Sequence, residues 1–96
     1  MAANNDEVFV YMGGNMFVPQ EVVRARVHSS VTVLSSFRDC DELEEVELNL
    51  GLQEIGGCAF WGCHKLKHIA IPTTVNSIGR SAFEETGLQS IKRAMG

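Results

Sequence analysis

The sequence predicts a mainly β fold, or α/β if its turns are counted as helical: a short right-handed solenoid with a parallel sheet on one face and turns or single helical turns on the other. Three observations carry this. Phe37, Phe60 and Phe83 recur at intervals of 23 residues. Apolar residues around the last two keep the same register without gaps, Val46, Leu48, Leu52, Ile55, Ala59, Phe60 and Cys63 standing opposite Ile69, Ile71, Val75, Ile78, Ala82, Phe83 and Thr86. Each of these units also holds its branched aliphatics in one short alternating segment. A period of roughly 20 to 29 residues of this kind means stacked units that cannot bury their apolar faces alone.

The elements follow in chain order. Residues 1–7, Met-Ala-Ala-Asn-Asn-Asp-Glu, are polar and acidic and read as a disordered tail. They lack the basic flank and apolar stretch of a secretory signal, so the chain reads as cytoplasmic. Over residues 8–21, the runs Val8 to Met12 and Asn15 to Val18 flank Gly13-Gly14, a pattern that predicts a β-hairpin capping the first coil. Residues 22–96 form the solenoid proper, of about three units. In the earliest, Ala25, Val27, Val31 and Leu34 precede Val46, Leu48, Leu52 and Ile55 by 21 residues, and the shortened approach to Phe37 implies a tighter or irregular coil. The unit at Phe83 is one residue shorter before Leu88. The run from Ser90 enters a further strand with no capping pattern, which leaves an open apolar edge.

Within a unit, Ile69 and Ile71 alternate with exposed residue types, as in a strand with one buried face, and Pro72 suits the strand's end because it has no amide to donate. Val75 and Ile78 are expected to point inward, and Gly79 to provide a backbone position free of side-chain hindrance. Ser81 to Glu85 is long enough for one helical or 3₁₀ turn. Stacking places the three phenylalanines in one interior column. Val46, Leu48, Ile69, Ile71 and Ile91 join them in the expected core.

The run Ala59-Phe60-Trp61-Gly62-Cys63-His64-Lys65-Leu66, continued by Ile69, Ile71-Pro72, Val75 and Ile78-Gly79, resembles the BspA-type leucine-rich repeats. Their pattern is Ala-Phe, two variable residues, Cys, Leu, Ile, Ile-Pro, Val and Ile-Gly. The likeness is close over residues 43–91, loose over 22–42, and leaves the first 20 outside. Thr86 stands where the pattern has Cys, no Ala-Phe pair precedes Phe37, and Asn49-Leu50 replaces the Pro-Thr of the later unit. The resemblance implies a non-enzymatic module that binds protein partners.

Composition narrows the function classes. A net charge of −4 and a pI near 5.2 argue against nucleic acid and anionic membranes, both of which require a basic footprint. Three cysteines fit reduced thiols better than a disulfide framework. Cys58, Cys63, His64 and His68 have the residue types of a metal site, but the repeat places Cys63 inside and His68 on the strand surface, so their side chains diverge. Cys40 and Cys63 are expected as stacked neighbours, with packing rather than bridging as their role. No nucleophile with an oriented base and no phosphate-binding loop is present, so neither catalytic residues, metal ligands nor a cofactor site are assigned.

The register also arranges the charged residues in columns. Arg24, Glu45, His68 and Ser90 form one, Arg26, Glu47, Ala70 and Lys92 a second, and Glu44, Lys67 and Gln89 a third. Arg24 with Glu45, Arg26 with Glu47 and Glu44 with Lys67 are expected cross-strand pairs, each contributing ~0.2–1 kcal/mol. Arg24, Arg26, Glu45, Glu47, His68, Ala70 and Lys92 then define the presenting surface of a protein-interaction scaffold. The alternative is a divergent or truncated repeat fragment that self-associates through its C-terminal edge.

Overall fold

The computed structural model describes residues 7–14 and 16–94, the side chains of 92–94 excepted. Eight strands follow one another among the described residues: β1 (Val8–Tyr11), β2 (Arg24–Val27), β3 (Val33–Leu34), β4 (Glu45–Glu47), β5 (Glu54–Ile55), β6 (His68–Pro72), β7 (Ser77–Ile78) and β8 (Ser90–Ala94). Every pairing between them is parallel. The order β1-β2-β4 and the pair β6-β8 make the front of the solenoid, and β3-β5-β7 makes a second, narrower face.

The expected hairpin does not form. β1 instead runs parallel to β2, with Val8, Phe9, Val10 and Tyr11 opposite Arg24, Ala25, Arg26 and Val27, and residues 16–19 carry no strand. Gly13 and Gly14 do turn the chain, with φ of 91° and 65°. An isolated two-stranded hairpin gains little, whereas β1 laid on β2 satisfies a full strand edge and buries Tyr11. The ring of Tyr11 lies 5.5 Å from that of Phe37 at an interplanar angle of 57°, and its hydroxyl is 2.8 Å from Ser36 Oγ. Of the tail expected over residues 1–7, all but Glu7 lies outside the described residues.

Below Tyr11 the phenylalanines stack as a ladder. Phe37–Phe60 and Phe60–Phe83 centroids are each 5.5 Å apart, with interplanar angles of 8° and 5°. Around them Leu34, Leu43, Leu52, Ile55, Ala59, Leu66, Ile69, Ile71, Val75 and Ala82 are buried. Phe83 and Leu88 are only half-buried. Ile78 and Ile91, expected inside, are 46% and 54% exposed. Both sit on the last coils of the stack, where a layer lies against them on one side only. The buried residues matching them one coil earlier, Ile55 and Ile69, are covered on both sides.

No helix occurs among the described residues, and the backbone hydrogen bonds explain why. In the turn through Phe60, the amides of Cys58, Phe60 and Gly62 donate to Arg80, Ala82 and Glu84 of the next coil at 3.0, 2.8 and 3.1 Å. The amides between them, of Ala59, Trp61 and Cys63, turn back to Gly56, Cys58 and Phe60 at 3.2, 3.1 and 3.1 Å. A helix would spend every amide within its own turns, leaving none for the neighbouring coil. The alternation demands left-handed backbone at fixed positions, seen as φ near 60° at Cys58 and Ser81 in one column and at Asp39 and Glu85 in another, where Gly62 takes 82°. The close stacking also explains Gly79. A Cβ there would collide with Gly57 N and come within 2.7 Å of Gly56 C.

Two substitutions separate these effects in chemical denaturation. Phe60→Ala, at a fully buried rung, is expected to cost ~3–5 kcal/mol, and Phe83→Ala, on a half-covered rung, distinctly less. Gly79→Ala is expected to cost ~1–3 kcal/mol because the obstructing atoms are backbone and cannot rotate away.

Candidate functional site

Strand geometry places the charged side chains. Residues alternate across a strand, so burying Ala25 and Val27 on β2, and Ile69 and Ile71 on β6, turns Arg24, Arg26, His68 and Ala70 outward. Glu45 and Glu47 do the same on β4. The ladder sets Arg24 opposite Glu45 and Arg26 opposite Glu47, and His68 and Ala70 opposite Ser90 and Lys92. Lys92 is placed by its backbone alone, its side chain lying outside the described residues.

Of the three cross-strand ion pairs, Arg24 Nε to Glu45 Oε1 forms at 3.0 Å. Arg26 and Glu47 face each other in register without an ion pair among the described residues. Glu44 and Lys67 form none either, because β4 and β6 are not joined by a ladder. The turn side carries contacts the strand columns did not anticipate: Lys65 Nζ to Glu42 Oε1 at 2.8 Å, His64 Nδ1 to Asp41 Oδ1 at 4.0 Å, and the Arg38 guanidinium 5.2 Å over the Trp61 ring. All three partners stand one 23-residue interval apart, so the same shift applied to residues 38, 41 and 42 reveals them in the sequence. The Glu42 hydrogen bond holds the Lys65 ammonium above its ordinary pKa.

The front of the solenoid is split at its centre. Val23 O accepts bonds from Glu44 and Glu45, and Lys67 O accepts them from Gln89 and Ser90, but the corresponding bonds from Lys67 and His68 to Glu44 are missing. Elsewhere the two coils stay joined, through the β5–β7 ladder, the turn bonds and the stacked Phe60 and Phe83. Val46 and Leu48 are consequently half-buried, although their counterparts on both flanking strands are buried. A groove of about 960 Å³ follows this seam, with Val46 and Leu48 in its floor and Glu44, Glu45, Glu47, Lys67 and His68 among its lining. Arg24 and Ala70 also line it, so among the described residues it takes in five of the expected presenting surface, while Arg26 is not in its lining.

The thiols and imidazoles sit apart. Cys63 is buried and donates to Phe37 O at 3.0 Å, Cys58 lies half-buried in the turn, and His64 and His68 are exposed. Among the described residues no three His, Cys, Asp or Glu side chains gather as a metal site would require. Cys40 and Cys63 are free and buried. Burial, with the Asp41 and Asp39 carboxylates adding to it, pushes the Cys40 thiol up to about 11. Burial, then the neighbouring Cys40, pushes Cys63 to about 12.

Parallel coils, an aromatic ladder and an outward charged sheet define a repeat solenoid. A family model described as "BspA type Leucine rich repeat region (6 copies)" matches residues 12–94, and the chain belongs to this family. The match begins at Met12, within the segment whose pattern suggested a cap. Domains of this family are generally non-enzymatic modules of protein–protein interaction. Comparison with curated proteins and with solved structures gave no match. No helix among the described residues is long and apolar enough to cross a membrane.

The thiols yield a pH prediction. Unfolded cysteines ionise near 9.0, whereas Cys40 and Cys63 hold their protons in the fold to about 11 and 12. Stability from these groups is therefore complete below pH 9 and falls as pH rises toward those values. Denaturation midpoints should decline along this limb, and Cys40→Ala/Cys63→Ala should flatten the decline. Alkylation of the native chain should modify Cys58 first, with the other two reacting only on unfolding.

Proposed function

We propose that the chain is a cytoplasmic protein-binding scaffold, without enzymatic activity of its own, that meets its partner through the front sheet. The carrying observation is the groove along that sheet, where a partly exposed aliphatic floor is bordered by charged side chains. Such a surface suits a protein partner, since apolar area supplies affinity and the charged rim supplies selection. Arg24, Arg26, Glu45, Glu47, His68, Ala70 and Lys92 are its proposed contact residues. The acidic balance of the chain weighs against a nucleic acid or membrane partner. The test is affinity capture with Arg26→Glu and Glu47→Lys, separately and together. Arg26 and Glu47 are both exposed, so the fold should survive while capture falls about tenfold or more, equivalent to ~1.4 kcal/mol. Retention of every partner by the double variant would contradict the reading.

A second reading, self-association through the C-terminal edge, is favoured by the exposure of Ile78 and Ile91 and the partial exposure of Phe83. Exposed apolar strand edges invite pairing with another chain. Light scattering over a concentration series distinguishes the two. Edge-driven association predicts a rising mass that Ile78→Lys and Ile91→Lys suppress, and a constant monomer mass excludes it.

A further inference from the structure

The two ends of the stack complement each other in shape of strand, in apolar surface and in charge. Among the described residues the outermost front strands are each laddered on one edge only, β1 to β2 and β8 to β6. Every pairing in the stack is parallel, so the free edges of β1 and β8 face opposite ways along the solenoid axis. A copy translated along that axis sets its β8 beside β1 of the next copy as one more parallel neighbour.

Such a junction covers apolar surface on both sides. A groove of about 540 Å³ runs along β1, lined by Val8, Phe9, Val10, Met16, Pro19 and Val22. Phe9, Met16 and Val22 are half-buried and carry the core out to this end. At the other end Ile78 and Ile91 are 46% and 54% exposed, and Phe83 and Leu88 are half-buried. The register of the stack, carried forward by one strand, brings these together. It places Ser90 beside Val8 of the next copy and the inward Ile91 beside its Phe9, as Arg24 stands beside Val8 and Ala25 beside Phe9 within one chain.

Charge decides how two copies meet. Residues 1–23 hold Asp6, Glu7 and Glu21 and no Lys, Arg or His. Glu7 and Glu21 line the β1 groove, and Arg24 beside them is engaged by Glu45. β8 carries Lys92 and Arg93, whose register partners Ala70 and Ile71 are uncharged, while Glu84 and Glu85 lie in the preceding turn and not on the front strand. Joining β1 to β1 sets acid against acid, and a fully overlapped antiparallel pair of β8 strands sets Lys92 against Lys92, which is destabilising. Head-to-tail stacking brings the acidic end to the basic strand. We infer that the surface receiving the C-terminal edge is the N-terminal end of a second copy, so that copies stack head to tail in an open array and do not close as two-fold dimers. This rests on the self-association reading above and adds to it the surface that the edge meets.

Light scattering of the full chain over a concentration series, with two double variants at exposed positions, tests it. Glu7→Lys/Glu21→Lys spoils the receiving end, and Ile78→Lys/Ile91→Lys spoils the inserting one. The wild-type mass should climb past two copies without a plateau, and each double variant alone should associate at least tenfold more weakly. An equimolar mixture of the two retains one sound junction, the β8 edge of the first with the β1 groove of the second. It should regain the mass of two copies, shown by native mass spectrometry to hold one of each. A wild-type plateau at two copies, with Glu7→Lys/Glu21→Lys still dimerising, would overturn head-to-tail stacking and leave self-association through the C-terminal edge standing. A mixture that stays monomeric while the wild type grows would also overturn it, and a constant monomer mass for the wild type removes both readings.

Discussion

Each coil of this chain must satisfy its backbone on the coil beside it, and the rest of the structure depends on that constraint. Alternate amides in the turns donate across to the next coil while those between them close the turn locally. The consequence is a stack at close spacing, which leaves space for glycine at position 79 and recurrent left-handed backbone at Cys58 and Ser81 and at Asp39, Gly62 and Glu85. Left-handed conformation at non-glycine residues costs ~1–3 kcal/mol each. It persists because the neighbouring coils fix it through bonds on both sides. The same spacing brings Phe37, Phe60 and Phe83 into face-to-face register, so the apolar interior and the backbone ladder reinforce each other.

Much of this was legible in the residues. The 23-residue interval gave the phenylalanine ladder and the parallel strands, and the 21-residue offset of the first unit gave the Arg24–Glu45 pair, because register in a stacked coil is arithmetic on the sequence. Local turn chemistry was less decisive. Gly13-Gly14 signals a hairpin by its own propensity, yet the gain from a complete β2 edge and a buried Tyr11 prevails over it. The single helical turn expected at Ser81 to Glu85 gave way for a related reason: length permits it, but the neighbouring coil's claim on the amides does not.

The candidate surface was legible as columns and illegible as a groove. Alternation along β2, β4 and β6 identifies which residues face outward, and the structure places them on one face. The apolar pattern gives no sign of the split between β4 and β6, for the two units align without gaps and their inward residues match in type. It appears only when hydrogen bonds present at neighbouring junctions are missing at this one. The half-exposed Val46 and Leu48 go with it, and the groove they floor is bordered by charged side chains.

The pattern of backbone bonds between coils holds the stack together, and scalar couplings transmitted through hydrogen bonds in solution NMR measure it directly. It predicts couplings from the amides of Cys58, Phe60 and Gly62 to the carbonyls of Arg80, Ala82 and Glu84, and from Glu44 to Val23, with none from Lys67 or His68 to Glu44. Couplings confined within residues 56–63 in a helical pattern, or a full set joining β4 to β6, would contradict it.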